Sequence, residues 1–227
     1  MTDVVLRLDN LGRRYSPKTP PLFEGLNLEL RAGEYLAVMG ESGVGKSTLL
    51  NLLSGLDRPD SGRVLIEGTD LSALDDDAAT LLRRRSVGFV FQAFHVLPYL
   101  SVLQNVALPL DLLGIREPER SRRAREMLQA VGLEPLSARP ARDLSGGEIQ
   151  RIAIARALVH QPRLVLADEP TGNLDPRNAA QTLKLLRDQI KRNAGAGILI
   201  THSRAAAETA DRILLLDAQG LHPLEHP

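Results

Sequence analysis

The sequence contains no cysteine among its 227 residues. That excludes disulfides and thiolate zinc sites, and it fits a reducing compartment. Neither charge is in excess: Lys plus Arg and Asp plus Glu each number 28, for a formal net charge of zero. Nothing electrostatic therefore supports coating a nucleic acid or lying on an anionic membrane, and no nucleic-acid partner is expected. No hydrophobic run reaches bilayer-spanning length; the longer ones, such as Ile213 with Leu214, Leu215 and Leu216, have the size of buried strands. The opening MTDVVLRLDNLGRRY has no basic stretch leading into a long apolar one, so no signal peptide is expected. Internal repeats and low-complexity segments are absent. What is present is an ordinary globular balance, 43% apolar and 25% charged. It suffices for one domain with its own core and a smaller inserted lobe.

Apolar and polar residues alternate through Val4, Leu6 and Leu8, and again through Leu26, Leu28 and Leu30, as in half-buried strands. "EYLAVMG" reads as a buried strand, "KSTLLNLLSGL" as a helix that Gly55 stops, and "RVLIEG" as another strand. From about Ala73 to Leu136 charge density rises and helical periodicity dominates. "EPERSRRAREMLQAVGL" places Ala124, Met127, Leu128 and Val131 on one face. Pro135 and Pro140 mark the exit from this region. Beyond it, helices ("LSGGEIQRIAIARALVHQ", "RNAAQTLKLLRDQIKRN", "RAAAETA") alternate with apolar strands ("RLVLADE", "GILIT", "RILLLDAQG"). Continuous apolar strands between helices predict an α/β fold with a parallel sheet covered on both faces. The tail "LHPLEHP" is expected to be loose, its histidines belonging to a frayed terminus rather than a metal site. Arg83, Arg84 and Arg85 read as a solvated face.

"GESGVGKSTLL" carries the first chemical signal. Gly40, Gly45, Lys46 and Ser47 fit the phosphate-binding loop pattern, with the strand before and helix after that the pattern needs. Glycines let successive backbone N–H groups turn inward around phosphates, and the helix start adds its positive dipole end. Lys46 can reach the β- and γ-phosphates and the Ser47 hydroxyl can ligate Mg²⁺. Glu41, a carboxylate beside phosphates, is expected to point outward. "LVLADEP" narrows the choice among phosphate-loop enzymes. Asp168, ending an apolar strand, can hold Mg²⁺; Glu169 can orient or deprotonate a water for in-line attack on the γ-phosphate. No NKxD-type guanine-reading segment is present, which disfavours a GTPase. In "LSGGEIQ" a serine and two glycines open another helix, a second anion-binding start far along the chain. One nucleotide needs one cradle, so a second suggests binding to phosphates held by another copy.

Over essentially its full length the chain resembles ABC-transporter ATP-binding subunits. Tyr15, GESGVGKST, Gln92 in "VFQ", LSGGE, "LVLADEP", "GNLD" and the histidine of "ITHS" stand in family order. The resemblance implies a P-loop NTPase fold of the ABC ATPase type: a mostly parallel core sheet, an N-terminal antiparallel β subdomain and an inserted α-helical subdomain. Residues 1–90 and 140–227 would form the core and β subdomain, and residues about 91–139 the helical one.

The resemblance also implies roles. Tyr15 would stack on adenine. Gly40, Glu41, Ser42, Gly43, Val44, Gly45, Lys46, Ser47 and Thr48 would wrap the phosphates. Ser47, Gln92 and Asp168 would hold Mg²⁺, with Gln92 also touching the attacking water. Glu169, Gln92 and His202 would be the catalytic set, His202 hydrogen-bonding the γ-phosphate. Ser145, Gly146, Gly147 and Glu148 would meet the γ-phosphate bound by a second copy, and Asp175 would lie across the seam of that homodimer. His95 and His160 have no such support and read as structural.

"VGFVFQAFHVLPYLSVLQNVALPL" and "ADEPTGNLD" resemble the ATPases of lipoprotein-release and macrolide-export systems and their cell-division relative. This implies an ATPase that dimerises around two ATP·Mg, drives integral membrane permease subunits and sits at the inner face of the cytoplasmic membrane through them. Residues 91–110, from Phe91 to Leu110, would be the docking groove. With no fused transmembrane or extra C-terminal domain expected, a stand-alone lipoprotein-release subunit is favoured; the alternative is a cell-division ATPase regulating a wall hydrolase.

Overall fold

The structure, a computed structural model, describes residues 3–16, 18–172, 174–217 and 219–224. In chain order β1 (Val4–Arg13), β2 (Phe23–Arg31) and β3 (Tyr35–Met39) lead into α1 (Lys46–Leu53). Next come β4 (Ser61–Ile66), β5 (Thr69–Asp70), α2 (Asp76–Ser86) and β6 (Val87–Val90). The helices α3 (Val102–Leu112), α4 (Glu119–Ala130) and α5 (Gly146–Leu158) follow. The chain then alternates through β7 (Leu164–Asp168), α6 (Pro176–Arg192), β8 (Ala196–Ile200), α7 (Arg204–Ala207), β9 (Arg212–Asp217) and β10 (Gly220–Pro223).

The alternating strands behave as their pattern requires. Leu6 and Leu8 of β1 flank exposed Arg7, Leu26, Leu28 and Leu30 of β2 alternate with exposed neighbours, Val5 is buried as well, and β2-β1-β4-β5 form an antiparallel sheet. The continuous apolar strands make the second sheet, ordered β10-β9-β3-β8-β7-β6, parallel throughout except for β10. α1 lies between the two sheets: Leu49, Leu50, Leu52 and Leu53 join one core with Leu6, Leu8, Leu36 and Leu166. The opposite face of the parallel sheet is covered by α6 and α7 through Leu183, Leu186, Ile190 and Ala206. Three helices share a third core, with Val102 and Val106 of α3 against Leu128 of α4 and Ile152 of α5. α2 stays with the sheets instead, since Leu82 packs on the first core and the helix runs straight into β6.

Two expectations are corrected. The tail is not loose as far as Pro223. Asp217 Oδ1 accepts from the N–H groups of Gln219 and Gly220, and this turn folds β10 back on β9 with Leu221 opposite Leu216. Its His222 faces Asp217 at 3.3 Å, and His226 lies outside the described residues. Nor is Arg83 part of a solvated face: its guanidinium donates to Gly55 O and to Thr80 Oγ1, both at 2.7 Å, tying the end of α1 to α2. Arg84 and Arg85 are exposed.

Candidate functional site

Parallel strands deliver every strand-borne candidate to one edge of the sheet. Gly40 follows β3, Gln92 follows β6, Asp168 and Glu169 end β7, and His202 follows β8. These are the carboxyl ends of neighbouring strands, the edge where open α/β sheets bind ligands.

The loop between β3 and α1 is held by contacts only glycine permits. A Cβ on Gly40 would lie 2.6 Å from Leu216 O. Gly45 has φ +105° and is capped by Leu22, whose Cδ2 would sit 2.5 Å from a Cβ there. Inside the loop the Lys46 ammonium donates to Gly40 O at 2.9 Å and Glu41 O at 2.7 Å. Glu41 itself is exposed, as expected. Ser47 Oγ, on the first turn of α1, donates to Asp168 Oδ2 at 3.4 Å. Burial, and then the adjacent Glu169 charge, push the Asp168 carboxyl above its ordinary range, while Ser47 and Lys46 pull it back.

Glu169 adopts φ +42°, a left-handed conformation that turns the chain out of β7, and its N–H donates to Ile200 O at 2.9 Å. Its carboxylate Oε2 accepts from His202 Nδ1 at 2.6 Å, so β7 and β8 present these side chains as a pair. Gly172 draws Gln92 in beside them. A Cβ on Gly172 would stand 3.3 Å from Gln92 Nε2 and 3.7 Å from Glu169 Oε2.

A cleft of about 370 Å³ gathers these groups: Ser42, Gly43, Gly45, Lys46, Ser47 and Thr48 from the loop, with Gln92, Asp168 and Glu169 opposite. Tyr15 closes one side. Its hydroxyl shares a 2.5 Å hydrogen bond with Thr48 Oγ1, Arg13 stands over its ring at 5.4 Å, and the residue is 66% exposed. Val44 lines a neighbouring hollow with Tyr15 and Leu22. His202 opens instead onto a larger cavity, about 790 Å³, between α6 and α7, which shares Glu169 with the cleft.

Residues 145–148 do not line this cleft. Ser145 and Gly146 are exposed, and a Cβ on Gly146 would meet open space. The N–H groups of Gly146 and Gly147 find no acceptor among the described residues. Asp175 is the N-cap of α6, accepting from the N–H groups of Arg177 and Asn178, each at 3.1 Å. Gly147 lies beside Asn178, so the starts of α5 and α6 are neighbours. Asn173 of "GNLD" lies outside the described residues. His95 and His160 have contacts of their own: the His95 ring edges onto Phe91, and His160 Nε2 bonds Val87 O at 3.1 Å. Burial lowers the His160 pKa.

Sequence reasoning missed Leu22 and Gly172. Leu22 acts across the fold on Gly45, and no local pattern marks it. Gly172 stands inside "ADEPTGNLD", where its glycine was the available signal.

This is a phosphate-loop ATPase site, and comparison with known proteins agrees. Residues 23–172 match the family described as "ABC transporter". The Lipoprotein-releasing system ATP-binding protein LolD of Pseudomonas syringae pv. tomato is 47% identical over 215 residues, covering 94% of this chain and 95% of that one. The Uncharacterized ABC transporter ATP-binding protein YvrO of Bacillus subtilis is 44% identical over 214 residues, covering 93% of each. Among solved structures, dimeric MJ0796, a bacterial ABC transporter cassette, superposes with a TM-score of 0.85 at 35% identity, over 98% of this chain and all of that one. Its post-hydrolysis form, bound to ADP and Pi, gives 0.83 at 34% identity with the same coverage. The chain belongs to the ABC transporter family and is its ATP-binding, ATP-hydrolysing subunit.

Proposed function

We propose that the protein works as a homodimer closed around two ATP·Mg, each site taking its phosphate loop from one copy and the start of α5 from the other. The observation that carries this is the split just described. The cleft holds one set of phosphate donors, while the N–H groups of exposed Gly146 and half-buried Gly147 stand elsewhere, with no acceptor among the described residues. A doubly satisfied γ-phosphate would join the two copies; its loss on hydrolysis would let them part.

The residues fit a magnesium ion shared with substrate. Ser47, Asp168 and Gln92 supply a hydroxyl, one carboxylate and an amide, a hard oxygen set that is incomplete without substrate phosphates. No cluster of three or more His, Cys, Asp or Glu among the described residues offers a dedicated cage. Bound there, the ion would neutralise charge developing on the phosphoryl oxygens. Lys46 would exchange its two loop carbonyls for phosphate oxygens. Glu169, oriented by His202, would take a proton from water as its oxygen attacks the γ-phosphorus and the bond to the ADP oxygen breaks. Tyr15 would stack on the base through its exposed ring.

The turnover would power integral membrane permease subunits, a reading supported by membership of the ABC transporter family. Leu97 and Tyr99, 44% and 82% exposed within residues 91–110, are the apolar surface we assign to that contact. Relatives named for lipoprotein release, at 46% and 47% identity, support that cargo class, and with it we assign the subunit to the inner face of the cytoplasmic membrane, held there by its partner.

The test is light scattering on the Glu169→Gln chain. It should be monomeric alone and dimeric with ATP·Mg, and adding Gly146→Asp should abolish the dimer while nucleotide binding by the monomer persists. A dimer unaffected by Gly146→Asp overturns cross-copy completion.

A further inference from the structure

The molecule opens two helices with the same serine device and then treats them differently. At α3, the Ser101 N–H donates to Gln104 Oε1 at 2.9 Å, and Ser101 Oγ accepts from the Gln104 N–H at 3.1 Å. At α5 the Ser145 N–H donates to Glu148 Oε2 at 2.8 Å, and the Ser145 hydroxyl donates to that same oxygen at 2.6 Å. One box uses a neutral amide, the other a carboxylate that draws in the hydroxyl proton as well.

The settings differ too. The first free N–H groups of α3 are spent on the chain: Val102 N–H donates to Arg139 O and Leu103 N–H to Ser137 O, both at 2.9 Å. Those of α5, on Gly146 and Gly147, find no acceptor among the described residues; Gly146 faces open space, and Gly147 lies beside Asn178. Thus the chain places a carboxylate at the helix start left open to an anion. The two Ser145 donors, and then Arg151 and Arg139, hold the Glu148 carboxyl below its ordinary range, so it is charged at neutral pH.

We propose that Glu148 restrains dimer closure: its carboxylate competes with the incoming γ-phosphate for the Ser145 hydroxyl proton and for the positive end of α5, and so sets the ATP concentration at which two copies join. The inference rests on the reading that α5 completes the partner's site. It reverses the sign of the role expected for Glu148, from a ligand of phosphate to its competitor.

Glutamine is the discriminating substitution, because Ser101 and Gln104 demonstrate that an amide sustains this box in the same chain. Dimer formation against ATP·Mg should be measured for the full chain carrying Glu169→Gln, with and without Glu148→Gln. The half-saturating ATP concentration should fall roughly three- to tenfold with Glu148→Gln. Nucleotide affinity measured below the dimerising protein concentration should not move. In a Ser145→Ala background the gain should shrink, since the contested proton is gone. An unchanged or raised ATP requirement, with the Glu169→Gln parent dimerising normally, overturns the restraint alone. A parent that stays monomeric at saturating ATP·Mg overturns the restraint together with the reading beneath it.

Discussion

Glu169 and His202 meet at 2.6 Å across the ends of β7 and β8, the carboxylate largely enclosed and the imidazole mostly exposed. The pair joins a group one residue beyond Asp168 to one that water can reach. A base so held should lose its chemistry, but not its substrate, when made an amide. Glu169→Gln is expected to lower kcat by a factor of at least ~100 with ATP binding little changed, which steady-state phosphate release and equilibrium binding will check.

Gly172 tests whether the crowding around that pair matters. An added methyl would stand 3.3 Å from Gln92 Nε2 and 3.7 Å from Glu169 Oε2, tight against the first and in ordinary contact with the second. Gly172→Ala is therefore expected to reduce kcat about tenfold while leaving KM and melting temperature nearly unchanged, because only the relative placement of Gln92 and Glu169 shifts. A proportional rise in KM would point to phosphate binding as the affected step.

How much of this was visible in the sequence follows from the range of each interaction. The phosphate loop is a local pattern whose flanks are also local, so Gly40, Lys46 and Ser47 were legible from eleven consecutive residues. The start of α5 was legible for the same reason. Leu22 over Gly45 and Gln92 beside Gly172 were not, because each is a contact made by the sheet rather than by the chain. β6 spans only Val87–Val90, too short for a period to register, and β10 depends on the Asp217 turn more than on its own residues. Arg83 was misread because charge alone marks it as solvated; its carbonyl partner, Gly55, comes 28 positions earlier. Glu148 was assigned by resemblance, and only the contrast with Gln104 exposes what its charge does.

Lys46 bonds two carbonyls of its own loop, so its ammonium is already aimed inward. Lys46→Ala removes the only cation the loop contributes to the cleft. ATP affinity should fall at least tenfold, as read by calorimetry or a fluorescent nucleotide, with the isolated fold intact. Lys46→Arg should not restore it, because the longer planar fork does not fit between Gly40 O and Glu41 O.

Asn105 is a test of the lobe rather than the site. It is fully buried on α3, where its Oδ1 accepts from the Leu97 N–H at 2.9 Å and its Nδ2 donates to Leu97 O at 3.0 Å and to Ser101 O at 3.1 Å. Those bonds fix the segment that presents Leu97 and Tyr99. Asn105→Ala should cost about 2–3 kcal/mol of stability and raise amide exchange across residues 97–101, with ATP binding by the monomer retained.

Asp168 sets stability against function. Burial raises its pKa, so the folded protein holds this proton more tightly than the unfolded chain does. Linkage then gives the sign: the group's contribution to stability is fully present below the ordinary carboxylate pKa and is lost as pH rises through the elevated folded value. At neutral pH the ionised side chain is thus a cost that only a nearby cation can offset. Asp168→Asn removes the charge at nearly constant shape and keeps an acceptor for Ser47. Without nucleotide or metal its melting temperature at pH 7 should rise by about 2 °C, and this gain should vanish near pH 3, where the wild-type carboxyl is neutral too. Magnesium-dependent turnover should be lost at the same time. If the variant were instead less stable at pH 7, the ionised carboxylate would be a net stabiliser of the empty site, held there by Ser47 and Lys46, and the account of a charge waiting for its metal would fail.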